Sequence, residues 1–167
     1  FAHNATASAE FEEGYTRWTR SGVGIEWRAG DWRATGEVNG GEGEKPGLLT
    51  TLRWRPDDHW QFYANADTLT NEIPLQAVRA GVNAKRAGFG VEWRAHESRR
   101  LSLGGAYTDF SDGNARNSVN LAWFERWLSG PRWTFETTLG GDASHNSLGY
   151  AAAYFNPSND RSLWLAG

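Results

Sequence analysis

The chain has 167 residues, a formal charge of −3 and no cysteine, so disulfide scaffolds, thiol chemistry and Cys-ligated zinc are excluded. Leu, Ile, Val and Phe make up only about a sixth of it, too little for an ordinary aliphatic core. With 10 Trp, 5 Tyr, 20 Gly and a charge near zero, disorder is not expected either.

A pI near 5.8 argues against a nucleic-acid partner, and no run of about 18 apolar residues offers a transmembrane helix. No methionine occurs anywhere, so the sequence reads as a piece of a longer chain.

The dominant signal has period two, the spacing at which strand side chains alternate between faces. A weak strand is expected over 4–12. Residues 22–29 set Val23, Ile25, Trp27 and Ala29 against Gly22, Gly24, Glu26 and Arg28. Residues 32–39 set Trp32, Ala34 and Val38 against Arg33, Thr35, Glu37 and Asn39. The same pattern recurs over 48–55, 60–67, 87–95, 100–108, 118–127, 132–139 and 148–155, and a last strand begins near Ser162. About eleven strands result, each within reach of the ~9–11 residues that cross a bilayer in a tilted barrel.

Short connections are expected at Gly30-Asp31, 56–59, 96–99, 128–131 and 156–160. Long ones are expected at 13–21, 40–46, 69–86, 109–117 and 140–146. Such alternation is what an up-and-down meander gives when its two rims face different compartments. Trp27, Trp32, Trp54, Trp60, Trp93, Trp127 and Trp133 flank the short connections, as an interfacial aromatic girdle would. The fold class is therefore all-β: an antiparallel up-and-down transmembrane β-barrel, with 1–167 a single partial domain.

On the polar face, Glu26, Glu37, Asp67, Glu92 and Glu136 lie among arginines. Tyr63, Phe124 and Phe155 break the alternation with rings able to stack on sugars. Glu42, Glu44, Glu72, Asp109, Asp112 and Asp142 are expected on the external rim. Enzymatic signals are poor. His3, His59, His96 and His145 have no metal-ligand spacing, and His145-Asn146-Ser147 lacks a nucleophile elbow or supporting acid. No catalytic residue, metal or cofactor is expected.

The stretch from Ile73 to Asn114, IPLQAVRAGVNAKRAGFGVEWRAHESRRLSLGGAYTDFSDGN, together with YFNPSND from Tyr154 to Asp160, resembles the β-barrel domain of the poly-β-1,6-N-acetyl-D-glucosamine export porin family. The resemblance implies a bacterial outer-membrane barrel of 16 strands, preceded by a periplasmic tetratricopeptide region that this chain lacks. It implies a transporter rather than an enzyme. Its partners would be the lipid bilayer, a partly de-N-acetylated polymer carried to the surface for the biofilm matrix, and a periplasmic deacetylase reached through the missing repeats. Two other readings remain at this point: an outer-membrane lipase or deacylase, and a soluble carbohydrate-binding β-domain.

Overall fold

The computed structural model describes residues 2–11, 14–41, 46–70, 73–149 and 154–167, with side chains from Thr19 onward. Ten strands run in chain order: β1 (Ala2–Phe11), β2 (Gly14–Ala29), β3 (Trp32–Gly41), β4 (Gly47–Trp54), β5 (Trp60–Asp67), β6 (Ala84–His96), β7 (Arg99–Phe110), β8 (Ala115–Ser129), β9 (Thr134–Asn146) and β10 (Asn159–Ala166). One short helix, α1 (Leu75–Arg79), interrupts the β5–β6 connection. The strands form a single sheet in which each pairs antiparallel with its sequence neighbours, β1 through β10.

The alternation fixes the register. Val23 faces Val38 and Val38 faces Leu48, while Trp93, Leu101, Trp123, Leu139 and Leu165 form one continuous row across β6–β10. A slip of one residue would send each of these to the other side. The apolar side is solvent-accessible: Val23 is 65% exposed and Ile25 78%. A sheet this apolar and this uncovered requires a nonpolar medium around it.

Buried packing gathers at one end. Ala77 of α1, Val82, Ala84, Phe110 and Tyr154 form the hydrophobic cluster, with Ile73 against it. The helix also packs on β2 and β1, so the β5–β6 connection reaches back across the sheet.

Three sequence expectations are corrected. Residues 13–21 do not form a long connection, because β2 begins at Gly14 opposite Phe11. Residues 140–146 do not form a connection either; they complete β9, where Gly140 lies beneath the indole of Trp164 and Gly141 beneath Leu163. The strand expected over 148–155 is absent among its described residues: Leu148 and Gly149 are in a turn, and Tyr154 and Phe155 lie outside any strand. Among the described residues ten strands stand where eleven were expected, and 147–149 and 154–158 lie between β9 and β10.

The expected short connections that remain, 30–31, 55–59, 97–98 and 130–133, all lie at the same end of the meander, while the long connection expected over 109–117 shrinks to 111–114 at the other. There the ring centroids of Trp32 and Trp54 stand 5.4 Å apart and nearly parallel. Phe62 stacks at 5.3 Å from Trp54 and 6.0 Å from Trp60, and Trp60 lies 6.5 Å from Trp93. This is a continuous aromatic belt on the apolar side, where an indole can bury its body and keep its N–H wet.

Gly30 holds the first short turn with φ +52, the left-handed region that costs other residues about 1–2 kcal/mol. Nothing lies within 4 Å of where its Cβ would be. Gly30→Ala should therefore lower refolding stability by about 1 kcal/mol through backbone strain alone. Urea titration in lipid would check this, and an unchanged midpoint would refute it.

Candidate functional site: the polar face

The polar face is built from the residues that alternate with the apolar rows. One row crosses it as Arg28, Arg33, Arg53, Tyr63, Gly90, Gly104, Asn120, Asp142 and Ser162. The next carries Glu26, Thr35, Thr51, Asn65, Gly88, Ala106, Ser118, Ser144 and Asp160. Hydroxyls, amides and charges of both signs therefore run across β2–β10, interrupted in these two rows by small residues alone, Gly88, Gly90, Gly104 and Ala106.

Arginines neutralise most of the expected acids. Glu26 accepts from Arg28 and from Arg33, whose Nε lies 2.8 Å from Oε2. Glu92 bridges Arg94 at 2.8 Å and Arg100 at 3.7 Å. Glu136 pairs with Arg126 at 2.6 Å. Glu37 is buried and accepts from Asn39 Nδ2 at 3.2 Å. Asp67 ends β5 and accepts the backbone N–H of Leu69 at 2.9 Å. Nearby Arg20, only 1% exposed, donates to the Leu69 carbonyl at 2.5 Å.

Asp142 differs from these acids and from its expected place. It stands inside β9 opposite Asn120 and Ser162, not on the rim, because 140–146 are strand. Its Oδ2 accepts from Ser162 Oγ at 3.2 Å and from Trp164 Nε1 at 3.0 Å. Among the described residues neither Asp142 nor Asp160, also on this face, has an arginine partner.

The three rings separate. Tyr63 and Phe124 do face the polar side. Phe124 sits between two guanidinium groups, Arg100 at 5.0 Å and Arg126 at 5.9 Å from its ring centroid, a cation–π pairing. Phe155 does not join them. It is 73% exposed between β9 and β10, because the strand expected to carry it is not formed by its described residues. Asp109 near the end of β7 and Asp112 in the turn after it lie at the long-connection end, Asp112 accepting the N–H of Asn114 at 3.1 Å. Glu42, Glu44 and Glu72 fall outside the described residues.

Two features had no signal in the sequence. One is Trp164, whose strand phase was unreadable so near the end of the chain. The other is a hydrogen-bonded hub at the long-connection end centred on Asn114, which is fully buried. Its Nδ2 donates toward Asn146, Tyr154 and Asn156, and its Oδ1 accepts from Ser147 Oγ and the Leu148 N–H. Ser147 is thereby committed to Asn114, while His145 faces Asn159 at 3.1 Å, so the two form no nucleophile–base pair. Among the described residues no group of His, Asp or Glu could hold a metal ion.

A wholly antiparallel meander, apolar and belted with tryptophan on one face and continuously polar on the other, defines a membrane β-barrel domain. The chain belongs to the family described as the PgaA membrane beta barrel domain, whose model matches residues 1–166. It is 31% identical over 140 residues to the poly-beta-1,6-N-acetyl-D-glucosamine export proteins of Escherichia coli K12 and of Escherichia coli O157:H7. Those matches cover 78% of this chain and 17% of each relative, so the chain spans about a sixth of their length. A solved structure described as a bacterial polysaccharide outer membrane secretin superimposes with a TM-score of 0.79 at 27% identity, covering 88% of this chain and 51% of that one. The strands thus belong in an outer membrane, with the polar face turned to the barrel interior.

Proposed function

We propose that this chain supplies part of a 16-stranded outer-membrane barrel that exports partly de-N-acetylated poly-β-1,6-N-acetyl-D-glucosamine to the cell surface. The polar face running through β2–β10, on a sheet of this family, is the observation that carries the reading. In the whole protein a periplasmic tetratricopeptide region would precede the barrel and receive polymer from a deacetylase.

Export requires a wet path with weak, repeated contacts, since tight binding would stall the chain. Free amines on the polymer are cations near neutral pH. Glu26, Glu37, Asp67, Glu92 and Glu136 would line their path, with Tyr63 and Phe124 on the same face and Phe155, Asp109 and Asp112 nearer the mouth. Arginine pairing leaves Glu26, Glu92 and Glu136 with little net field, so Asp142 and Asp160 would give the stronger attraction. Any one contact is weak: two charges 4 Å apart attract by only ~1 kcal/mol in water, less with salt.

Replacing Glu26, Glu37, Glu92 and Glu136 together by Gln should reduce polymer export at equal surface abundance. The change strips the counter-charges from Arg28, Arg33, Arg94, Arg100 and Arg126, so the path turns repulsive to amines. Asp142→Asn with Asp160→Asn should reduce export too, and Asp109→Asn with Asp112→Asn should do so less. Normal export by both interior variants would defeat acidic guidance.

A further inference from the structure

The interior face holds two aromatic rings seated over glycines of neighbouring strands. Tyr63 faces Gly90 across the β5–β6 ladder, and Gly90 faces Gly104 on β7. A Cβ placed on Gly90 would stand 2.2 Å from Tyr63 Cζ and 2.3 Å from its hydroxyl oxygen; one on Gly104 would stand 3.0 Å from that oxygen. The ring therefore occupies the space where the two side chains would be. Trp164 repeats the arrangement on Gly140, where a Cβ would meet its indole at 2.2–2.8 Å.

Each ring borders hydrogen-bonding groups. Tyr63 lines a concavity of about 330 Å³ with Arg53, Asn65, Arg86, Asn120 and Ser118. A second concavity of about 210 Å³ shares Arg86, Ser118 and Asn120 and continues to Asp142, Asp160 and Ser162. Asp142 also anchors the Trp164 indole through Oδ2, and its Oδ1 has no partner among the described residues. The flat rings, their polar edges and the joined hollows match a pyranose ring, which presents an apolar C–H face and hydroxyls around its rim. A purely space-filling ring would not need a glycine seat on the neighbouring strand.

We infer that Tyr63 and Trp164 form a two-platform track on which successive amino-sugar units of the exported polymer stack, with Asp142 accepting from a hydroxyl or ammonium group between them. The row through Gly90 reaches β9 at Asp142, three strands away, and Gly140 lies two residues along that strand, a separation of roughly 16 Å. One extended chain can thus touch both platforms. This assignment rests on the polysaccharide reading above and adds the place and mode of contact.

The test is current blockade of the complete barrel in planar bilayers by a β-1,6-linked N-acetylglucosamine pentamer. Tyr63→Leu and Trp164→Leu should each weaken blockade by about tenfold, the factor that ~1.4 kcal/mol of binding represents, while Tyr63→Phe keeps the wild-type value. Gly90→Ala, which forces the intact tyrosine ring off its seat, should weaken blockade as Tyr63→Leu does. Open-channel conductance reports correct assembly in every variant. If the pentamer blocks the wild type and both leucine variants equally, the stacking track is wrong while the export reading stands. If it fails to block the wild type at all, both are wrong.

Discussion

Arginine in place of Leu103 should destabilise the membrane-embedded sheet by about 2–4 kcal/mol, the cost of a cation at the lipid face near the bilayer midplane. Leu103 lies mid-strand in β7, 42% exposed, between Val91 and Leu121 on the apolar side. Val91→Arg should cost a similar amount. Ser102→Arg, one residue along and on the opposite face, should cost far less, because the interior is wet and Glu92 lies opposite it. The comparison is a test of phase: the two sites share a strand, a depth and a substitution. Equal losses at 102 and 103, measured by reversible refolding into lipid vesicles, would mean that neither face meets lipid.

Asn114→Ala should cost about 3 kcal/mol or more, on the scale of 1–3 kcal/mol for each buried group left without a partner. Five hydrogen-bond partners converge on this one amide, drawn from the β8–β9 end and from the residues between β9 and β10. Tyr154 lies within the same cluster, 5.8 Å from the Phe110 ring, and burial pushes its hydroxyl above the ordinary tyrosine pKa. The buried cluster holds the neutral phenol, and that contribution is lost as pH rises from the ordinary tyrosine range through the raised value. Asn114→Asp, though equal in size, should be no better tolerated. It replaces a donating NH2 group with an oxygen facing the side-chain oxygens of Asn146 and Asn156. Both variants should show a lowered urea midpoint and faster protease cleavage within 147–158. Wild-type values in both measurements would remove Asn114 from its structural role.

The strands that alternate strictly, such as 22–29 and 87–95, were legible because each residue's neighbours two positions away declare its face. Trp27, Trp32 and Trp54 marked the short-turn end for the same local reason. Legibility failed where a residue's identity answers to another strand. Gly140-Gly141 has the chemistry of a turn, yet both glycines are strand residues made small by Trp164 and Leu163 of β10. The segment around Tyr150 alternates in sequence, but Tyr154 is held by Asn114, forty residues away. Asp142 was misplaced with the segment that contains it. The arginine partners of Glu26, Glu92 and Glu136 lie two residues along the chain or across a ladder, and register alone shows which pairs meet.

Every ladder joins consecutive strands, so the sheet can grow hairpin by hairpin from local pairings, the kind that cost least in loop closure. Helix α1 breaks that locality. Leaving β5, it touches β2 and β1, which lie three and four strands back. These contacts become available only after the intervening strands have formed and bent, and once made they resist unbending. The helix therefore acts as a tie across an arc: it sets the curvature of this part of the wall, and it registers that the wall has been built.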